Sequence, residues 1–244
     1  GGTTVFTAAT RLGRELWRTD GTTNGTVLVR DIAPGGASST PSIWRDARIG
    51  GFVYFAADDG VAGRELWRTD GTTAGTQLVA NIAPGAQSSS PFSIEPFGTG
   101  VVFSATEGTS GAEPWFSDGT ATGTRRIADL NPGAASSQPL WFRDLGTGRA
   151  VFSAISAAVG RELFVTDGTA AGTRLLADWW PGPVSSTPQF LFRVPGTNRV
   201  VLPTFTFATG TELYGTDGTT AGTGLVRDIE PFVSTWSSQP EDLI

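Results

Sequence analysis

Five glutamates recur at a near-constant spacing along the 244-residue chain and have the clearest potential for chemistry. Each precedes an aromatic residue by two positions: Glu15, Glu65, Glu113, Glu162 and Glu212. Repeated carboxylates of this kind can bind a sugar or a cation at five equivalent positions. They can also hydrogen-bond to a neighbouring loop or to an arginine, because a half-buried carboxylate needs such partners. The pattern favours five structural contacts, and five ligand sites are the alternative.

Less regular carboxylates offer a second kind of chemistry. Two carboxyl groups held ~5 to 9.5 Å apart can hydrolyse a glycosidic bond. Outside the repeated positions, Asp58, Asp59, Glu107 and Glu230 fall in loops that would share one face of a propeller. Their surroundings in the sequence single out no pair, so a carboxylate-dependent glycoside hydrolase is an alternative rather than the leading prediction.

The composition excludes several other mechanisms. The chain has no histidine, cysteine or methionine, and all 17 of its basic residues are arginine. Thiol nucleophiles, disulfides, Ser-His-Asp and Cys-His catalysis, and Schiff-base chemistry are therefore absent from this chain. We predict no catalytic residue, no metal and no cofactor.

Net charge and hydropathy argue against several classes of partner. The formal net charge is −6, and the arginines form no cluster, which argues against nucleic acid and anionic lipid. No apolar stretch reaches the ~20 residues that a membrane helix needs, so no membrane insertion is predicted. With no initiator methionine and no signal peptide, the sequence fits a mature exported protein or an excised domain equally well.

The strands and turns that must position these residues are predicted from a repeat in the sequence. Asp-Gly-Thr occurs five times with a period of about 49 residues, which is typical of a solenoid, a propeller or an array. The five copies begin at Asp20, Asp70, Asp118, Asp167 and Asp217.

Each repeat contains four short runs rich in β-branched and aromatic residues, separated by Gly, Pro, Ser and Asp. In the second copy they are segment a (42–49), segment b (52–57), segment c (65–69) and segment d (76–82). The chain begins inside a segment b and ends with a short segment a, so its two ends together complete one set. We therefore predict an all-β fold, a single five-bladed β-propeller over residues 1–244. Its blades would be four-stranded and antiparallel, and pairing of the N- and C-terminal segments would close the ring.

The run Glu15-Leu16-Trp17-Arg18-Thr19-Asp20-Gly21-Thr22 and its copies resemble the bacterial ELWxxDGT-repeat proteins. The match covers the whole chain. Copy three departs from the pattern at Pro114, and Phe164 and Tyr214 replace the tryptophan in copies four and five. The resemblance implies a bacterial protein that is secreted or at the cell surface, and it implies no particular activity.

The repeated aspartates lie between segments c and d. A carboxylate there can accept backbone N–H groups while the following glycine adopts a conformation that other residues resist. Calcium binding is the alternative, but each loop offers one carboxylate and calcium takes six to eight oxygen ligands. The pattern favours a structural turn.

Aromatic residues that depart from the repeat indicate a single binding site as the alternative to five repeated sites. Trp179 and Trp180 stand where the first copy has Ile32 and Ala33, and the corresponding loop of the fifth repeat carries Phe232 and Trp236. Both loops connect segment d to the next segment a, so we expect them on one face of adjacent blades. Exposed aromatic rings there would suit a sugar or a partner protein. If they are buried, they merely enlarge the core.

The leading prediction is a non-enzymatic exported binding module for carbohydrate or a cell-surface component. It would use the aromatic loops as one site or the five glutamates as repeated sites. The alternative from another class is a protein-interaction or self-assembling scaffold, and the oligomeric state is left open.

Overall fold

The computed structural model describes residues 2–229, 231 and 238–240, and these residues form strands and turns without a helix. The chain divides into two compact units, Gly1–Gly111 with Phe116–Arg125 and Ala112–Trp115 with Arg126–Ile244. The all-β prediction is confirmed, whereas the single-domain prediction is not tested. Among the residues described, no helix is long and apolar enough to cross a membrane.

Five antiparallel sheets follow one another along the chain, each built from strands that are consecutive in sequence. The first sheet contains β1 (Thr4–Thr10), β2 (Gly13–Thr19) and β3 (Val27–Arg30). The second contains β4 (Ser42–Ile49), β5 (Phe52–Asp58), β6 (Arg64–Thr69) and β7 (Gln77–Ala80). The third contains β8 (Phe92–Phe97), β9 (Gly100–Ala105), β10 (Glu113–Ser117) and β11 (Arg125–Arg126).

The last two sheets repeat this order. The fourth contains β12 (Leu140–Asp144), β13 (Ala150–Ser156), β14 (Gly160–Thr166) and β15 (Arg174–Ala177). The fifth contains β16 (Phe192–Arg193), β17 (Val200–Thr206), β18 (Gly210–Thr216) and β19 (Gly224–Arg227).

The prediction of five four-stranded blades needs a correction at the first sheet, where the described residues supply three strands. The segment expected to complete it includes residues 241–244, which lie outside the described residues. The other four sheets have the four strands predicted from the repeat.

In the second sheet the strand ends agree with the sequence prediction to within one residue except at segment d. In the second sheet that strand spans Gln77–Ala80, although residues 76–82 were predicted. Ile82 leaves the ladder because its N–H donates to the Glu65 carboxylate at 3.0 Å. A side chain therefore takes the place of a neighbouring strand as the hydrogen-bond partner.

Each unit has its own apolar core. In the first unit, Phe55 of β5 and Trp67 of β6 are packed with Leu16 of β2 and Val29 of β3. In the second unit, Leu163 of β14 is packed with Leu202 of β17 and Tyr214 of β18. Side chains of adjacent sheets thus interdigitate within each unit. The aromatic residue two positions after the glutamate is half-buried at Trp17 and buried in the other four repeats, at Trp67, Trp115, Phe164 and Tyr214.

Candidate functional site

The repeated aspartates build compact turns. The Asp70 carboxylate accepts the N–H of Thr72 at 2.8 Å and its hydroxyl at 2.7 Å. The Thr72 hydroxyl in turn accepts the N–H of Gly75, and the hydroxyls of Thr69 and Thr76 bond to each other at 2.7 Å. The same aspartate contacts occur at all five copies. The turn interpretation is therefore confirmed.

The repeated glutamates are buried and hold the loop that leads into the next sheet. The Glu65 carboxylate, whose residue is 0 % exposed, accepts the N–H groups of Ile82 and Ala83 and both the N–H and the hydroxyl of Ser89. Each other glutamate likewise accepts the N–H and the hydroxyl of one serine. We call these pairs glutamate clasps: Glu15 with Ser39, Glu65 with Ser89, Glu113 with Ser137, Glu162 with Ser186 and Glu212 with Ser238.

The clasps bear on the prediction of five repeated ligand sites. All five glutamates are 0 % exposed, and their oxygens face serine and backbone donors. A ligand would have to displace the loop to reach them. The hydrogen-bonding alternative describes the contacts seen, with loop groups rather than arginine as the partners.

The pKa values of the turn aspartates and of three buried glutamates are shifted in opposite directions. The hydroxyl and N–H of the threonine two residues on lower the pKa of all five turn aspartates below the ordinary value of 3.8. Burial raises the pKa of Glu65, Glu113 and Glu162 above the ordinary value of 4.5, although the serine hydroxyls oppose it.

These shifts predict a stability maximum in mildly acidic solution. Aspartates with a lowered folded-state pKa stabilise the fold above pH 3.8, and this contribution is lost as the pH falls through the folded-state pKa. Glutamates with a raised folded-state pKa contribute fully below pH 4.5, and this contribution is lost as the pH rises. We expect the free energy of unfolding to peak between these two values. Urea unfolding from about pH 3 to about pH 7 checks this, and stability that rises steadily to neutral pH would contradict it.

Three aromatic side chains of the second unit form a surface feature that we call the aromatic cluster: Trp180, Phe205 and Phe207. The rings of Trp180 and Phe205 are stacked, with centroids 5.1 Å apart and planes at 25°. The Trp180 ring also meets that of Phe207 edge-on at 6.3 Å. Phe207 is 79 % exposed, so the cluster presents apolar surface to solvent.

Trp179 packs on the core rather than in this cluster. Trp179 is half-buried, its ring meets that of Tyr214 at 5.1 Å, and it lies against the core of the second unit. It enlarges the core, as one of the two interpretations of the sequence predicted. Phe232 and Trp236 lie outside the described residues, as does Glu230.

Sequence reasoning missed Phe205 and Phe207. Phe205 pairs with Thr211 across β17 and β18. The matching positions of the first, second and fourth sheets hold Ala9, Asp58 and Ile155. Aligning the repeats on the residues that precede each glutamate, rather than on the loops after segment d, would have revealed the aromatic substitution.

Comparison with known proteins finds similar folds among solved structures. No family model matches the chain, and neither does any curated protein. Solved structures do match, including those from a structural and mechanistic analysis of two prolyl endopeptidases, at TM-score 0.57, 13% identity and 91% of this chain. Prolyl oligopeptidase B from Galerina marginata, bound to a 35mer hydrolysis and macrocyclization substrate, matches at TM-score 0.56, 13% identity and 92% of this chain.

A serine-to-alanine mutant of puromycin hydrolase complexed with PGG is similar at TM-score 0.53 and 14% identity, over 89% of this chain. The likeness supports a β-propeller-like all-β fold. This chain spans only 32% to 34% of the length of these three relatives.

These likenesses correct the predicted function. A non-enzymatic carbohydrate-binding module was expected, yet the structural neighbours are peptidases and a hydrolase. Exposed aromatic rings had suggested sugar recognition, but an aromatic surface binds the side chains of a peptide equally well.

Proposed function

We propose that the chain is the β-propeller part of a peptidase-related protein and that its aromatic cluster binds peptide. The observation that carries the proposal is the match of about nine-tenths of this chain to about one-third of the prolyl endopeptidase structures. In this proposal the remaining two-thirds, which includes the catalytic residues, corresponds to a domain outside these 244 residues.

The amino-acid composition agrees with a binding role for this chain and a catalytic role for another domain. Serine peptidase chemistry of the Ser-His-Asp type needs a histidine as general base, and this chain has none. Hydrolysis would therefore rely on a nucleophile and a base from the catalytic domain. The residues described here would bind the peptide and orient it.

The aromatic cluster supplies a suitable surface. Trp180 and Phe205 hold each other in a stacked pair, so little conformational freedom is lost when a peptide side chain packs on them. Phe207 contributes exposed area at the turn between β17 and β18. Rigid aromatic anchors of this kind dominate many peptide and protein interfaces.

Replacing Trp180 by alanine tests the proposal. We expect proline-containing peptides of increasing length, labelled with fluorescein, to bind the chain saturably. Trp180→Ala should weaken binding about thirtyfold or more, since a central aromatic anchor contributes about 2 kcal/mol or more. Fluorescence anisotropy measures the affinity, and matched oligosaccharides serve as the competing ligand class.

The matched control is Phe92→Ala, which removes an aromatic ring that is 52 % exposed in the first unit. It should leave peptide binding unchanged. Absence of saturable peptide binding by the folded wild-type chain would overturn the proposal, and so would equal affinity for the wild type and Trp180→Ala.

Three finer predictions are part of the same proposal. The five sheets would be the blades of one ring closed by pairing of the terminal segments. The chain would belong to the ELWxxDGT-repeat proteins, and it would be exported. The fivefold Asp-Gly-Thr repeat and the Glu-Leu-Trp copies support the first two, and the export prediction depends on the second.

A further inference from the structure

A cavity of about 230 Å³ opens beside the fifth sheet. Its walls include Gln189, Pro203 and Thr211, together with Phe190, Gln239 and Pro240. Its volume exceeds the ~30 Å³ share of a single liquid water molecule several times over. The cavity therefore has room for a planar polar group with part of its stem.

The repeat shows which group occupies the corresponding place in other sheets. Thr211 immediately precedes the clasp residue Glu212, just as Arg64 precedes Glu65 and Arg161 precedes Glu162. The fifth sheet thus has a threonine at a position where the second and fourth sheets have an arginine. A long side chain is replaced by a short one.

Both arginines place their guanidinium groups against polar atoms that lie in the first two strands of their sheet or just before the first strand. Arg64 donates to the carbonyl of Thr40 at 2.7 Å, to the hydroxyl of Ser42 at 2.6 Å and to the carbonyl of Ala56 at 3.4 Å. Arg161 donates to the carbonyl of Gln138 at 3.1 Å and to the hydroxyl of Ser153 at 3.3 Å.

The fifth sheet retains counterparts of the acceptors that Arg64 uses, whereas Pro203 stands in the place of Ser153 and offers no hydroxyl. Pro203 pairs with Leu213 as Ala56 pairs with Leu66, so its carbonyl matches the one that Arg64 uses. Gln189 follows a proline as Ser42 does and offers a side-chain oxygen.

The backbone that leads into Gln189 has the same conformation as the corresponding backbone of the second and fourth sheets. Thr187, which precedes Pro188, has φ 53°, while Thr40 and Gln138 have φ 42° and 44° before their own prolines. Positive φ is uncommon for residues other than glycine. The carbonyl that receives arginine in two sheets is therefore held in a comparable conformation in the fifth.

We infer that this cavity binds a guanidinium group, the head of an arginine side chain. Guanidinium is planar, carries five N–H donors in a fixed fork and accepts nothing, which suits a wall of carbonyl and amide oxygens. A lysine ammonium is a compact, strongly hydrated charge that cannot reach divergent acceptors simultaneously. Arginine within a peptide and free arginine share this chemistry.

The position of the cavity favours a peptide. Phe205 is directly opposite Thr211 in the sheet, and opposite residues of an antiparallel pair share one face. The aromatic cluster therefore lies beside the cavity. A peptide whose arginine enters the cavity would place neighbouring side chains on Trp180 and Phe205. This extension to peptides rests on the proposed function, whereas the guanidinium site does not.

The test measures binding of N-acetyl-arginine amide to the 244-residue chain by NMR titration, with N-acetyl-lysine amide in parallel. We expect saturable binding of the arginine compound at a single site and binding of the lysine compound about tenfold weaker or less. Thr211→Arg places the protein's own guanidinium in the cavity and should abolish binding. Phe92→Ala, at an exposed residue of the first unit, leaves the cavity unchanged and should keep the affinity within about twofold of wild type.

A second variant keeps the inference testable if Thr211→Arg fails to fold. Arg161→Ala opens the equivalent place in the fourth sheet, so it should create a second arginine site. N-ethylguanidine, but not ethylamine, should then restore part of its lost thermal stability. The inference is overturned if the wild-type chain fails to bind the arginine compound, or if Thr211→Arg, when folded, binds as well as wild type.

An arginine tripeptide, N-acetyl-Gly-Arg-Gly amide, distinguishes arginine within a peptide from free arginine as the ligand. Tighter binding of the tripeptide than of the single amino acid, reduced to the amino-acid level by Trp180→Ala, supports an arginine-bearing peptide. Equal affinities would retain the guanidinium site and overturn its extension to peptides. Failure of the proposed function would thus remain distinct from failure of the site.

Discussion

Replacing Glu65 by alanine is expected to lower the free energy of unfolding by about 3 to 5 kcal/mol. The carboxylate accepts four hydrogen bonds, from Ile82, Ala83 and two groups of Ser89. Residue 65 has no solvent-exposed surface, so water cannot readily replace the lost acceptor. Each buried donor left without a partner costs about 1 to 3 kcal/mol. Urea unfolding followed by tryptophan fluorescence measures the change.

Glu65→Gln is the matched control for this prediction. The amide keeps one acceptor oxygen and nearly the same volume, so we expect a smaller loss, about 1 to 3 kcal/mol. It also removes the titratable group, so the decline in stability above pH 4.5 should become shallower. A loss below about 1 kcal/mol for Glu65→Ala would mean that the clasp contributes little to the fold.

Replacing Gly63 by alanine is expected to destabilise the fold by more than about 4 kcal/mol. Gly63 has φ +73°, where an L-residue is strained. A Cβ atom there would also lie 2.3 Å from the carbonyl oxygen of Gln87, in the loop that Glu65 holds. Because that oxygen belongs to the backbone, relieving the overlap requires the whole loop to move. The same urea titration measures the effect.

Gly85→Ala separates the backbone strain from the steric overlap as causes of the lost stability. Gly85 has φ +77°, nearly the same backbone conformation, but nothing lies within 4 Å of the position its Cβ would take. Only the conformational cost of about 1 to 2 kcal/mol applies there. Equal losses for the two variants would show that the close approach of the loop at Gly63 is unimportant.

The repeat predicted much of the fold because it combines two strong local signals. Asp-Gly-Thr marks a turn through side-chain hydrogen bonds that span only a few residues. The β-branched and aromatic runs between the turns mark strands. Both depend on near neighbours in sequence, so strands such as Ser42–Ile49 were predicted with the bounds observed.

The clasps were harder to predict because they depend on contacts across the fold. Hydrogen bonding to a neighbouring loop or to an arginine was the favoured interpretation of the repeated glutamate, since glutamate is rarely buried without partners. The sequence did not reveal which group of the loop would pair with it, because Glu65 and Ser89 are 24 residues apart.

The candidate site was predicted only in part. Trp180 was found because it departs from the repeat, whereas Phe205 and Phe207 lie in a segment where the copies already vary. Which aromatic rings meet depends on strand register, and register follows from packing rather than from composition. Peptide replaces sugar as the ligand class only in the proposed function, because the chemistry of an exposed aromatic surface suits both.

The clasps also determine how the molecule opens. Glu15 holds Ser39 just before β4, and Glu65 holds Ser89 just before β8. The second sheet therefore cannot detach without breaking a clasp at each end. Neighbouring sheets linked in this way lose their structure together, as coupled units of a linear array do. Native-state hydrogen exchange should accordingly report one shared opening energy for the amides of Ser39 and Ser89 rather than a separate value for each repeat.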